Sequence, residues 1–249
     1  MHGNMKQRLD VLLVERGLAE SREKAQRRIM AGRVWVEGRR MEKPGTKVPV
    51  EVSISLEVEE RYVGRGGHKL EGALQGFGIR PEGWVGLDVG ASTGGFTDCL
   101  LQHGAARVYA VDVGHSQLDW KIRSDPRVIV HERVNCRYLT EREVPELVDL
   151  LVADVSFISL TLVLPAALAR VRAGGQAVVL VKPQFELNRE EVGRGGIVRD
   201  PALHLKAVER IQTWIQGQEE LEWRGVLESP IRGGDGNVEF LAWISKRSD

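Results

Sequence analysis

Val85-Gly86-Leu87-Asp88-Val89-Gly90-Ala91-Ser92-Thr93-Gly94-Gly95-Phe96-Thr97 is the stretch that decides the fold. A short run of strand character enters a glycine-rich turn directly, and a helical stretch, Phe96–His103, follows it. Glycines at a strand-to-helix turn let the backbone approach a ligand closely, and the helix start offers N–H groups without intrahelical partners. The spacing is not Gly-x-Gly-x-x-Gly, which weighs against a nicotinamide dinucleotide. The next strand, Arg107–Val113, carries Asp112 near its end, where a carboxylate can accept hydrogen bonds from both hydroxyls of a ribose. Asn135, at the end of a third strand over Val128–Val134, is placed to meet the edge of an adenine. An adenosine ligand is therefore expected at this loop.

Downstream, the alternation continues. Further strands are predicted at Val148–Val155, Ala177–Lys182, Trp223–Leu227 and Val238–Ile244, and helices at Gln117–Arg123, Leu160–Val171 and Ala202–Gln216. Such alternation predicts an α/β domain with a mainly parallel sheet covered on both faces. The last two strands are separated only by the short loop Ile231–Asn237, which implies an antiparallel hairpin at the sheet edge.

Upstream, the pattern changes to that of a small α+β domain. Leu9, Leu12 and Leu13 repeat at helical spacing until Gly17, and Ser21 is a fitting N-cap for a second helix with Ala25 and Ile29 on its inner face. Val34-Trp35-Val36 alternates, the turn Glu37-Gly38-Arg39 follows, and Val48–Val58 reads as strand. The boundaries drawn are 6–61 for this domain, 62–68 for a basic, glycine-rich linker, and 69–249 for the larger domain. The formal charge of the chain is zero, yet residues 1–50 hold twelve Lys and Arg against six acids. A basic head of that kind suits a polyanion, with Arg8, Arg22, Lys24, Arg27, Arg28 and Arg33, together with Arg65 in the linker, as the candidate contacts.

The reacting groups are sought beyond the fourth and fifth strands, in Ala153-Asp154-Val155-Ser156-Phe157 and Val181-Lys182-Pro183-Gln184-Phe185-Glu186. Carboxyl ends of adjacent parallel strands open on one crevice, so Asp154 and Lys182 are expected to converge there. Burial disfavours a charged amine and a neighbouring carboxylate favours it, a balance suited to drawing the proton from an alcohol. The fourth strand lacks the Asn/Asp-Pro-Pro-aromatic run of base-amino methyltransferases, and neither Cys99 nor Cys136 follows a proline as a carbon-5 pyrimidine nucleophile would. A hydroxyl acceptor is what remains. An oxidoreductase leaves Asp154 and Lys182 without a purpose. A catalytically dead RNA-binding assembly factor predicts erosion of the site.

Asp88 to Asp98, Ala110-Val111-Asp112-Val113-Gly114, Val181 to Glu186 and Gly195-Gly196-Ile197-Val198-Arg199-Asp200-Pro201 together resemble the TlyA, or hemolysin A, family of ribosomal RNA methyltransferases, which is related to the FtsJ type. Arg8-Leu9-Asp10, Ser21-Arg22 and Gly32-Arg33-Val34 are similar to the S-four-type RNA-binding domain of that family. The likeness covers all but residues 1–5. It implies a Rossmann-like class I fold with a seven-stranded sheet, S-adenosylmethionine as methyl donor, and 2′-O-methylation of cytidine in ribosomal RNA or ribosomal subunits. The implied catalytic tetrad is Lys69, Asp154, Lys182 and Glu239, with Lys182 as base or hydroxyl-orienting group, Asp154 and Glu239 holding it, and Lys69 orienting ribose or phosphate. The implied cofactor set is Asp88, Gly90, Ala91, Ser92, Thr93, Gly94, Gly95, Phe96, Thr97, Asp112, Val113, Asn135 and Asp154. One departure is Gly64, where the family usually has Ser before Arg-Gly-Gly.

The hemolysin name suggests membrane insertion, but no stretch is apolar enough for it, and the N-terminus lacks the apolar core of a signal peptide. A cytoplasmic protein, monomer or homodimer, is expected. The two cysteines lack metal-ligand spacing and are expected as buried free thiols, with no metal site.

Overall fold

In the computed structural model, residues 5–57 and 60–248 are described, and the chain divides into two units, Met1–Glu60 and Arg61–Asp249. Met1 to Asn4, Val58, Glu59 and Asp249 lie outside the described residues, and with them the end of the strand expected at Val48–Val58 and the end of the larger domain.

The first unit opens with β1 (Lys6–Arg8), which runs straight into α1 (Leu9–Glu15), and then α2 (Arg22–Met30). Ser21 caps α2 as expected, its hydroxyl accepting from the Lys24 backbone N–H at 3.2 Å. Four short strands follow: β2 (Val34–Val36), β3 (Arg39–Met41), β4 (Lys47–Pro49) and β5 (Ile54–Leu56). β2 pairs with β3 and β5, and β1 pairs with β4, all antiparallel. The single strand expected from Val48 is therefore two strands in two small sheets, with Val52 turning back onto the Pro49 carbonyl between them. Leu9, Leu13, Ala25, Ile29 and Val34 are fully buried, so the helical spacing of the leucines marks the core face of this unit.

The second unit begins with α3 (Gly66–Phe77), which the sequence reading did not predict. The stretch 62–68, expected as a linker, is packed into this unit: Tyr62 is buried in its core, and the Val63 N–H donates to Asp98 Oδ2 at 2.9 Å. Alternating strands and helices follow: β6 (Val85–Val89), α4 (Gly95–Gln102), β7 (Arg107–Val111), α5 (Trp120–Arg123), β8 (Val128–His131), β9 (Val148–Ala153), α6 (Leu160–Leu168), β10 (Val171–Val181), α7 (Pro183–Glu186), α8 (Pro201–Gln216), β11 (Leu221–Glu228) and β12 (Phe240–Lys246). They form one seven-stranded sheet in the order β11-β12-β10-β9-β6-β7-β8, parallel from β10 to β8, with β12 antiparallel to both β10 and β11. The C-terminal hairpin thus stands at the edge, where it was expected.

The central strands are apolar on both faces because both are covered. Leu151, Ala153, Val179 and Val181 enter one core cluster, and their neighbours Leu150, Val152, Val178 and Leu180 enter the other. Burying each Val or Leu in this way is worth on the order of 1.5–3 kcal/mol. β10 starts at Val171, where a continuing helix was expected, because Gly174 at φ +70° and the adjoining register shift let the strand begin early. α5 is shorter than expected, opening where the Asp119 carboxylate accepts the Lys121 N–H at 2.8 Å. No helix among the described residues is long and apolar enough to cross a membrane.

Candidate active site

β6 and β9 are neighbours although β7 and β8 intervene in sequence, so the order of the sheet reverses between them and a crevice opens at their carboxyl ends. The turn after β6 reaches across it. Gly90 sits at φ +83°, and a Cβ there would lie 2.4 Å from the Asp154 carbonyl oxygen, a contact only glycine permits. Gly94 is also left-handed, at φ +97°, and opens α4. Ser92 N–H donates to Asp112 Oδ2 at 2.8 Å and Gly114 N–H to Oδ1 at 2.6 Å, which ties the loop to the acid beyond β7. Each carboxylate oxygen keeps a further lone pair for a ligand hydroxyl.

Asp88, at the base of the loop, is fully buried. Its Oδ2 accepts the Thr97 hydroxyl at 2.6 Å, while Oδ1 has no hydrogen-bond partner. Burial pushes this carboxyl up to about 7, against the Thr97 hydrogen bond that lowers it. Cys99 and Cys136 are buried free thiols, pushed up to about 12 and about 11, again mainly by burial.

β9 and β10 run parallel with Ala153 opposite Val179, which brings Asp154 and Lys182 side by side. Lys182 Nζ lies 2.6 Å from Asp154 Oδ1, an ion pair without the alignment of a hydrogen bond, and donates to Ser156 Oγ at 2.8 Å. Pro183 starts α7 directly after it, so the lysine backbone is extended at the junction. Lys69 on α3 lies 2.6 Å from Glu239 Oε2, just before β12, and both are buried. The four residues expected as a tetrad stand as two ion pairs: the Glu239 carboxylate pairs with Lys69, where it was expected to hold Lys182. The register sets Glu239 beside the end of β10, with Phe240 opposite Val181, but its carboxylate turns to Lys69 on α3.

One cavity of about 420 Å³ is lined by Lys69, Asp154, Ser156 and Lys182 together with loop residues Gly90 to Thr93, Gly95 and Phe96. That volume lies within the roughly 300–1,000 Å³ of small-molecule sites. Val63, Gly64, Arg65 and Gly66 line it as well, so the supposed linker is part of the wall. At Gly64 the departure from the family pattern has a spatial meaning, since a Cβ there would lie 2.5 Å from Thr93 Oγ1. Thr97 and Gly94 face inward from the loop; Gly94 backs onto Leu118 and Ile122. Val113 is exposed, and Asn135 caps a short 3-10 turn by accepting the Arg137 N–H at 3.1 Å. Neither lines this cavity.

Ser156 was missed as a functional group because nothing in its spacing marks it; only its place two residues beyond Asp154 hints at it. Phe157 was missed likewise. It holds φ +63° with its ring exposed, 5.1 Å from the Phe185 ring, over which Lys182 Nζ stands at 5.9 Å.

In the first unit, Lys24, Arg27, Arg28 and Arg33 line a separate cavity of about 670 Å³. Lys24 pairs with Glu20, and Arg27 lies 3.6 Å from Glu23. Arg28 donates to the Leu18 carbonyl at 2.8 Å. Arg8 and Arg22 share the buried carboxylate of Asp10. Arg65 belongs to the second unit, where it donates to the Arg232 carbonyl at 2.9 Å.

Residues 62–246 match the family model of FtsJ-like methyltransferases, and residues 7–54 match that of the S4 domain. The chain is 47% identical over 246 residues to the 16S/23S rRNA (cytidine-2′-O)-methyltransferase TlyA of Mycobacterium tuberculosis, covering 97% of this chain and 91% of that one. It is 42% identical to Hemolysin A of Brachyspira hyodysenteriae, covering 94% and 98%. A solved structure from Streptococcus thermophilus described as a hemolysin superposes with a TM-score of 0.72 at 46% identity, covering 98% and 90%.

Proposed function

The chain belongs to the FtsJ-like methyltransferases, in the TlyA branch that also carries an S4 domain, and on that premise we propose that it methylates the ribose 2′-oxygen of cytidine in ribosomal RNA. The observation that carries the reading is the Lys182–Asp154 pair, 2.6 Å apart and opening on the same cavity as the glycine loop.

The loop fits S-adenosylmethionine by its own geometry. Gly90 lets the turn lie against the Asp154 carbonyl with its own backbone on the cavity wall, Asp112 is an acceptor for ribose hydroxyls, and Asp88 Oδ1 is an orphaned acceptor beneath the turn. When bound, S-adenosylmethionine supplies an electrophilic methyl group. The residues of this chain act on the acceptor side.

Lys182 takes the proton of the 2′-hydroxyl as that oxygen attacks. Asp154 and Ser156 fix the nitrogen, so its lone pair is aimed before the substrate arrives, which is where positioned acid–base catalysis gains most of its effect. Lys69, held by Glu239, presents a fixed positive charge to the ribose or its phosphate. The S4 domain supplies affinity for RNA through its basic residues, and the substrate places the enzyme in the cytoplasm. A binding factor with a dead catalytic domain does not account for four filled positions arranged as two ion pairs.

The test is transfer of labelled methyl from S-adenosylmethionine to ribosomal subunits, followed by mapping of the modified ribose. Lys182→Ala is expected to cut transfer by on the order of 10²–10⁴ while S-adenosylmethionine still binds. Unchanged turnover rejects the assignment.

A further inference from the structure

We propose that Asp10 is a positioning residue that sets Arg8 and Arg22 as a paired anchor for RNA phosphates, an inference that rests on the reading of the first unit as RNA-binding. Asp10 lies in the first turn of α1 and has no exposed surface. A buried carboxylate is retained only where its oxygens are satisfied. Here Oδ1 accepts Arg8 Nε at 3.0 Å, and Oδ2 accepts an Arg8 terminal nitrogen at 2.9 Å, Arg22 Nε at 2.9 Å and Gln26 Nε2 at 2.8 Å.

The two guanidiniums are held by their inner edges while their outer edges stay in solvent, with side-chain exposures of 42% and 56%. Arg8 is gripped side-on, and its remaining nitrogen rests on the turn at Gly45, where a Cβ would approach to 3.2 Å. Arg22 is held by Nε alone, leaving both terminal nitrogens for a ligand. The Arg8 hydrogen bond, with those of Gln26 and Arg22, holds the Asp10 carboxyl far below the usual carboxylate range, so it stays ionised wherever RNA binds.

A free arginine on a surface loses rotamer entropy when it docks on a phosphate. Here that loss is taken on folding. By contrast, the pairs Lys24–Glu20, at the start of α2, and Arg27–Glu23, within it, have both partners exposed and set no fixed geometry.

Asp10→Asn separates positioning from charge because the two predict opposite signs. Charge alone predicts tighter RNA binding, since a negative charge is removed near a polyanion. Positioning predicts weaker binding, since the asparagine amide presents donors to donors and releases the fork. The experiment measures binding of the full chain to a fluorescent ribosomal RNA transcript over a range of salt. The expected result is a loss of roughly tenfold or more, with the slope of log K against log salt flatter by about 1. Equal or tighter binding overturns the proposal.

If amide exchange shows that Asp10→Asn unfolds the first unit, the double variant Arg8→Lys/Arg22→Lys decides, because it keeps both charges and loses the fork. A comparable loss supports the proposal, and unchanged affinity overturns it. Arg22→Glu distinguishes the two levels of inference. Unchanged binding in that variant removes the RNA-binding reading and this proposal with it; weakened binding there, with Asp10→Asn unaffected, removes the positioning role alone.

Discussion

Replacing Glu239 by glutamine is expected to destabilise the second unit far more than the loss of a surface contact does. The Lys69 side chain is 9% exposed and that of Glu239 3%, so the variant strands an ammonium away from water with a neutral amide beside it. Breaking a buried pair by removing one partner costs about 3–5 kcal/mol, which is a large share of the roughly 5–15 kcal/mol that holds a domain folded. For a unit of this size, about 2–4 °C per kcal/mol translates that into a fall in Tm of roughly 6–20 °C. Lys69→Met combined with Glu239→Met replaces both side chains by unbranched apolar ones and is expected to recover most of that loss, because an apolar pair needs no desolvation of charge. Methyl transfer is expected to stay absent in both proteins. Calorimetric melts read the first quantity and labelled methyl transfer the second. A Glu239→Gln protein that melts with the wild type refutes the mutual dependence of the pair, and a double variant that still transfers methyl refutes its catalytic role.

Gly90→Ala is expected to abolish S-adenosylmethionine binding in a titration, since the left-handed backbone costs about 1–2 kcal/mol and the new Cβ meets the Asp154 carbonyl at 2.4 Å; retained affinity contradicts the cradle. Asp88 gives a pH signature: its folded value of about 7 lies above its ordinary 3.8, so its stabilising contribution is full below about pH 4, declines as pH rises and is gone above 7. Denaturant melts across that window should show the decline in the wild type and lose it in Asp88→Asn; a slope shared by both proteins removes Asp88 as its source.

Much of this architecture is legible in the residues, and the illegible parts have physical reasons. β6 is read to the residue because, Asp88 apart, this buried parallel strand carries no polar side chain, and its glycine turn marks where it stops. α3 is hidden because Gly66 and Gly67 open it, and two glycines beside arginine carry the signature of a linker; what stabilises the helix is packing against α4, where Gly95 leaves room for the Gly67 backbone. Both strands of the final hairpin are visible, but the partner of Glu239 is not, since it lies 170 residues away on the helix that was not predicted. Likewise Asp10 reads as an ordinary first-turn acid until Arg8, Arg22 and Gln26 are seen to meet on it.

Because Lys69 and Lys182 each stand against a carboxylate, a positive charge on either side chain is matched at short range. On the proposed reading, a sulfonium entering the cavity meets these lysines with their carboxylates beside them and not as bare cations. On that reading attraction and chemistry belong to different parts of the molecule: capture of the polyanion to surfaces that ionic strength can screen, the transfer to a site whose ion pairs lie at short range.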